Sequence, residues 1–184
     1  FKNGGKFAEY CNHKAMEFRK STNSDITAIL HIIGQAQTYF KEQGIDQWQN
    51  NYPNEETIKK DIDAGYGYVL AKDHIIVAVV AVSFDGEKTY DTIYNGQWIS
   101  QSQYAVIHRL AVGSDYKGQG LSSVVIKNIE EMCQARGVSS IRVDTHEDNK
   151  SMQKLLLKNG FQYCGIIYLR DKSARLAFEK ILQF

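Results

Sequence analysis

Apolar and polar positions alternate in short segments along this chain, and their period changes repeatedly. A brief strand is expected over 17–20. Ile26, Ile29, Leu30, Ile33 and Ala36 then recur at helical spacing, which predicts a helix capped by Ser24 and ended near Gly44. Residues 45–53 read as a loop holding the only proline, Pro53, and Asn54 is placed to cap a second helix running to about Ile62. Two strands, 65–71 and 75–84, meet at the tight turn Lys72-Asp73-His74. The second is an almost continuous apolar run, which predicts a central strand buried on both faces. Residues 85–100 are polar and aromatic, a hairpin loop or lid. A strand over 103–112 leads to the main amphipathic helix, 121–136, which Gly137 stops. A strand at 140–145, a helix at 149–158 and strands at 161–169 and 174–182 complete the chain. The crossover through the main helix makes its flanking strands a parallel pair in a mixed α/β sheet.

The division into parts is simple. Residues 16–184 read as one domain, and residues 1–15 as a leader or a poorly ordered extension, being polar, Gly-rich and without periodicity. Phe7, Tyr10 and Cys11 leave open the alternative that this extension packs on the domain. A length of 184 residues suits a single core, and 43% hydrophobic with 23% charged residues is ordinary for a globular protein. The net charge of +1 gives no sign of nucleic acid or an anionic membrane as partner, and no apolar run approaches the ~20 residues of a membrane span. Cys11, Cys133 and Cys164 have no paired spacing, which points to a reducing cytoplasm and away from disulfides or a zinc site. His13, His31 and His74 carry no metal-binding spacing either.

The densest chemical signal is Lys117-Gly118-Gln119-Gly120-Leu121-Ser122, where the 103–112 strand gives way to the main helix. Glycines at a helix mouth let the backbone approach a bulky anion, and the first free N–H groups and the helix dipole favour negative charge there. Upstream stand Leu110-Ala111-Val112. Downstream come Ile141-Arg142-Val143-Asp144-Thr145, then Asn149, then Gly160-Phe161. From Met16 onward, this order of motifs resembles the GNAT superfamily of acyl-CoA-dependent N-acyltransferases. Lys117 stands where the family usually has Arg or Gln, and keeps the positive charge. Ser122 replaces a usual Gly or Ala, and is still small. The resemblance implies the GNAT fold: a central, mostly antiparallel twisted sheet with a splayed parallel pair and about four helices. It also implies acetyl-CoA as co-substrate, no metal, and coenzyme contacts from Leu110, Ala111, Val112, Lys117, Gly118, Gln119, Gly120, Leu121, Ser122 and Asn149. Many relatives dimerise through sheet edges, which leaves a homodimer open.

Acyl transfer from a thioester to an amine needs a base, donors for the carbonyl oxygen and, at best, a proton for the departing thiolate. The resemblance assigns the oxygen donors to backbone N–H groups around Leu110 and Val112. His108 is the first candidate base. Strict alternation would put it on one face with Leu110 and Val112, and Arg109, read as a salt-bridge residue, on the other. The residue pattern alone leaves two readings of His108: a base, or a hydrogen-bonded or carboxylate-paired structural histidine. An imidazole titrating near ~6.5 is poorly matched to an alkylammonium near ~10.4 and better matched to an α-amine near ~8. The family's usual acid, a tyrosine, would fall at Leu156, which carries no proton to give. Tyr168 and Tyr163 are substitutes by proximity in sequence, with Tyr168 the candidate catalytic acid. Cys164 reads as a small buried hydrophobe, and His146 as an exposed loop residue. Asn149 explains itself as a helix cap and, by resemblance, as a coenzyme contact.

Trp48, Tyr52, Tyr90, Tyr94 and Trp98 fall in two loops that would wall an acceptor pocket, or simply pack. Trp48, Tyr52 and Tyr94 are the candidate substrate contacts, with Asp46, Glu55 and Asp91 available for a cationic acceptor. The function expected is a cytoplasmic N-acetyltransferase that acetylates a primary amine of a small molecule by direct attack, since no Cys-His or Ser-His arrangement suggests an acyl-enzyme. The alternatives are a non-catalytic acyl-CoA-binding sensor or interaction module, and a peptide or protein N-terminal acetyltransferase.

Overall fold

A computed structural model describes residues 16–184, so the expectations for residues 1–15 lie outside the described residues. Seven strands form one sheet: β1 Met16–Lys20, β2 Gly67–Lys72, β3 Ile75–Ser83, β4 Ala105–Val112, β5 Ser140–Thr145, β6 Gln162–Tyr168 and β7 Ala174–Ile181. Their order across the sheet is β1-β2-β3-β4-β5-β7-β6, and every neighbouring pair is antiparallel except β4–β5. Four α-helices lie among the described residues: α1 Ile26–Glu42, α2 Glu55–Asp63, α3 Leu121–Arg136 and α4 Lys150–Lys158.

The helices form where the apolar period demands them. α1 buries Ile29, Ile32, Ile33 and Phe40, and with Ile58 of α2 it covers Val69, Val79 and Ala111 on one face of the sheet. α3 buries Leu121, Val125, Ile126, Ile129 and Cys133 on the opposite face, where Leu156 of α4 joins them. As expected, β3 is buried from Val77 onward. Asn54 accepts the Thr57 N–H at 3.1 Å to cap α2, and Gly137, at φ 67°, ends α3. Ser24 does not cap α1. It lies inside a 3-10 turn, Asn23–Asp25, whose Asp25 carboxylate accepts the Thr22 N–H at 2.8 Å and a bidentate pair from Arg19.

Residues 85–104 do not hang over the molecule as a lid. Tyr90 and Trp98 form a third core with Val106, Cys164, Ile167 and Ala177, and Tyr94 exchanges two 2.8 Å backbone hydrogen bonds with Ile166. Glycine is required on both sides of that contact. A Cβ on Gly96 would lie 1.9 Å from the Cys164 carbonyl oxygen, and one on Gly165 would lie 2.6 Å from that of Tyr94. The loop is also bound to β7 through Glu179, which is fully buried. Its carboxylate accepts from the Ile99 N–H at 2.6 Å, from the Ser100 and Ser140 hydroxyls at 2.7 Å each, and from Arg142 Nε at 3.3 Å. Burial alone would raise the carboxyl pKa. These donors outweigh it and hold the pKa below the usual glutamate value.

Candidate functional site

The site begins with a defect in the sheet. β4 and β5 pair only at Ala105–Ile141 and Val106–Arg142, after which Ile107–Val112 and Val143–Thr145 run on unpaired to each other. A cleft of about 920 Å³ opens there, lined by Ile107 to Leu110 on the β4 side and Val143 to Thr145 on the β5 side. Ile126, Met152 and Leu156 give it apolar lining, and Trp48 and Tyr52 line it as well.

A second irregularity lies within β4. Val79 pairs with Ala111 and Ala81 with His108, so Arg109 and Leu110 together oppose Val80. Arg109 takes φ 53°, the left-handed region. This is a β-bulge, and it resets the alternation of side chains. His108 therefore does not share a face with Leu110 and Val112, which pack in the α3 core, nor does Arg109 face away from it. Both His108 and Arg109 turn to the α2 and 85–104 side. Arg109 does form the expected salt bridge: it grips Asp61 of α2 with Nε at 2.7 Å and Nη2 at 2.6 Å, and donates to Tyr52 Oη at 3.1 Å.

His108 Nε2 lies 3.3 Å from Glu87 Oε2. The imidazole beside it pushes the Glu87 carboxyl down to about 2; burial opposes this, and the Thr89 hydroxyl and N–H assist. Sequence reasoning missed Glu87, which reaches the site from the 85–104 loop. It also missed Asp144 as part of the site. This carboxylate lines the cleft, accepts the Tyr90 hydroxyl at 2.6 Å, and is pushed above the usual aspartate range by burial. Their signal was the odd-even position of Asp144 beside the gap and the polarity of the loop, neither of which identifies a partner.

The Glu87 shift has a consequence for stability. A carboxyl with a depressed folded pKa stabilises above its unfolded value and loses that contribution as pH falls through the folded one. The advantage of wild type over Glu87→Gln in thermal unfolding is expected to be full above pH 4.5 and to shrink towards pH 2. An advantage that stays constant between pH 6 and pH 3 would show that Glu87 acts through packing.

Just before α3, Gly118 and Gly120 take φ 79° and 71°, and a Cβ on either would meet nothing within 4 Å. Gly120 is the residue before α3, and no side chain caps that helix. The N–H groups of Leu121, Ser122 and Ser123 thus head a helix with no intrahelical acceptor. Lys117 Nζ lies 4.2 Å above the Tyr39 ring. This is a cradle suited to a pyrophosphate. Asn149 caps α4 by accepting the Met152 N–H at 3.2 Å, is buried, lines the cleft and donates to Gln47 Oε1 at 3.0 Å.

Other candidates are placed elsewhere. Tyr168 at the end of β6 and Tyr94 of the 85–104 loop are exposed and pack edge to face with ring centroids 5.2 Å apart; neither lines the cleft. Tyr163 packs on Phe178, and Tyr90 and Trp98 are interior. Cys164 is buried, its thiol pushed up to about 11 by burial. His146 is half-buried rather than exposed, its Nδ1 accepting the Asp148 N–H at 3.0 Å. Among the described residues no group of three or more His, Cys, Asp or Glu is placed to hold a metal ion, and no helix is long and apolar enough to cross a membrane.

Comparison with known proteins agrees with this geometry. The profile of the Acetyltransferase (GNAT) family matches residues 33–161. The uncharacterized N-acetyltransferase YesJ of Bacillus subtilis is 25% identical over 85% of this chain and 84% of its own length. A crystal structure of a GNAT-family acetyltransferase from Streptococcus agalactiae is 33% identical, covers 92% of this chain and 96% of its own, and superposes with a TM-score of 0.84. The fold is shared with PaiA N-acetyltransferase from Thermoplasma acidophilum in complex with coenzyme A, at 16% identity, 91% and 99% coverage and a TM-score of 0.66. With the family profile spanning most of the chain and the splayed β4–β5 pair in place, the protein belongs to the GNAT acetyltransferase family, whose members use acetyl-CoA, and is an acyltransferase.

Proposed function

We propose that the protein acetylates a primary amine of a small molecule by direct attack on acetyl-CoA bound across the β4–β5 gap. The observation that carries this reading is a single cleft that joins the unpaired lip of β4 to the His108–Glu87 pair. The pyrophosphate rests on the cradle of Gly118, Gly120 and the first turn of α3, with Lys117 beside it and Asn149 along the arm. The thioester lies against the bulged β4 backbone at Leu110. A bulge leaves backbone groups outside the ladder, and β5 offers them no partner here, so N–H groups remain for the carbonyl oxygen as it gains charge.

The amine approaches from the side of Trp48 and Tyr52. His108 removes its proton directly or through water, and Glu87, held charged, orients the ring and supports the imidazolium. The amine must arrive neutral or be made so by the cleft, where partial burial lowers an ammonium pKa. The cleft size falls within the range of small-ligand sites, ~300–1,000 Å³. Asp46, Asp85 and Asp144 on its walls favour a cationic acceptor.

The test is release of coenzyme A thiol from acetyl-CoA with a panel of aliphatic amines, diamines, amino sugars and short peptides with free N-termini. Turnover is expected on small amines, with kcat/KM at least tenfold above that for the peptides. Turnover confined to peptides would replace this reading with a peptide N-terminal acetyltransferase.

A further inference from the structure

The cleft holds a second arginine, and its carboxylate-binding edge is open. Arg175 of β7 lines the cleft and is half-buried. Its Nη1 donates to the Ala174 carbonyl at 2.9 Å. Its Nε and Nη2 donate to no described residue, and neither is sealed from solvent. Those two donors form the edge of a guanidinium that matches the two oxygens of a carboxylate. Arg109 shows the same edge in use, with Nε and Nη2 on Asp61 at 2.7 and 2.6 Å. Asp144 and Asp171 both sense the charge of Arg175, yet no salt bridge among the described residues includes it. Arg170 forms none either, but it is exposed on the turn between β6 and β7.

The sheet sets Arg175 beside the proposed reaction centre. His108 and Asp144 each stand two residues beyond the last β4–β5 rung, Val106–Arg142. The bulge comes only after His108, so His108 keeps the face of Val106. Asp144 lies on that face too, since Tyr90, which packs with Val106, donates its hydroxyl to Asp144 Oδ2. The other oxygen, Oδ1, accepts nothing from a described residue and is not sealed from solvent. Asp144 pairs across to Ala177 of β7, and Arg175 is two residues along that strand on the same face. Arg175 is therefore the diagonal neighbour of Asp144, about 7–8 Å away between Cα atoms. It lies on the side away from the last rung, where the gap widens.

We infer that Arg175 binds a carboxylate of the acceptor while Asp144 Oδ1 receives its ammonium, which makes the acceptor a free α-amino acid. This rests on the reading that the cleft presents an amine to acetyl-CoA beside His108. An α-amino acid carries its ammonium and its carboxylate on one carbon, so it needs opposite charges on neighbouring positions of one surface. Asp144 and Arg175 supply them. A diamine would set its second ammonium against the Arg175 guanidinium and be repelled. A peptide N-terminus would bring a neutral amide to the same place, and a hydrogen bond to a neutral acceptor is about half as strong as one to an ion.

The test compares the common L-amino acids with their α-carboxamides as acceptors, by release of coenzyme A thiol from acetyl-CoA. Each pair differs in the one charge that Arg175 binds. The carboxamide has the less basic amine, so any bias from amine protonation runs against the acid. Wild type is expected to favour its best amino acid over the matching carboxamide by about 10- to 100-fold in kcat/KM, the worth of a hydrogen bond to a charged group. Arg175→Met keeps the length of the side chain without its charge and is expected to abolish that preference, and Arg175→Lys to restore part of it. Equal or better use of the carboxamides by wild type overturns the inference, whatever the variants do. A preference that survives in folded Arg175→Met places the carboxylate on another group and overturns it too. Should Arg175→Met fail to fold, Arg175→Lys decides: a weakened preference supports the contact, and an undiminished one overturns it. Turnover of diamines or amino sugars but of no amino acid overturns it and leaves the small-amine reading standing. No thiol release with any acceptor brings both readings down together.

Discussion

Gly120→Val is expected to raise the dissociation constant for acetyl-CoA on the order of 100-fold, a loss comparable to one or two hydrogen bonds to a charged group. An anion seated on the N–H groups of Leu121, Ser122 and Ser123 has to pass over the Gly120 backbone. A side chain there occupies the space that the phosphates need. The protein itself does not fill that space, since a Cβ on Gly120 meets nothing within 4 Å. The variant is therefore expected to fold, at the cost of holding a non-glycine residue at φ 71°, about 1–2 kcal/mol. That strain needs its own control. Gly137, at φ 67° and equally unobstructed, sits at the opposite end of α3. Gly137→Val carries comparable backbone strain and is expected to leave coenzyme affinity unchanged. If calorimetry finds wild-type affinity in folded Gly120→Val protein, the phosphates bind elsewhere.

His108→Gln is expected to lower kcat by about 10²–10⁴-fold, the usual contribution of a general base, with the acetyl-CoA dissociation constant near wild type. If a single base controls the rate, wild-type activity is expected to rise with pH and that limb to vanish in the variant. Glutamine retains a polar group near Glu87 and limits the cavity left behind. The histidine–carboxylate pair also satisfies the structural reading of His108, so the kinetic and pH tests are what separate the two roles. Full activity with an unchanged pH profile would make His108 structural. A pH limb that survives in a slower enzyme would move attention to Asp144, which shares the cleft and whose carboxyl burial pushes upward. Misfolding of the variant would identify the pair as a support for the 85–104 loop, and leave the base to be sought among the other groups of the cleft.

Much of the molecule was legible before folding. The predicted ranges for α3 and β5 coincide with the observed Leu121–Arg136 and Ser140–Thr145, and the remaining strands and helices differ by a few residues at their ends. Helical and strand periods, the Asn54 cap and the Gly137 stop are properties of residues close together in the chain, so a linear reading captures them. The glycine cradle was legible for the same reason: backbone freedom and a helix start lie within six residues.

What folding alone decided is who faces whom. One left-handed residue, Arg109, reset the alternation of β4 and carried His108 to a face that strict period-two counting denied it. That conformation serves a partner 48 residues away, Asp61, which no local pattern announces. Glu87 entered the site, and Tyr94 and Trp98 left it, because the 85–104 loop is bound to Glu179 and β6 across some 80 residues of chain. Sequence specifies local conformation through short-range sterics and periodicity. Contacts between distant segments depend on how the whole core closes, and the geometry of this site is made almost entirely of such contacts.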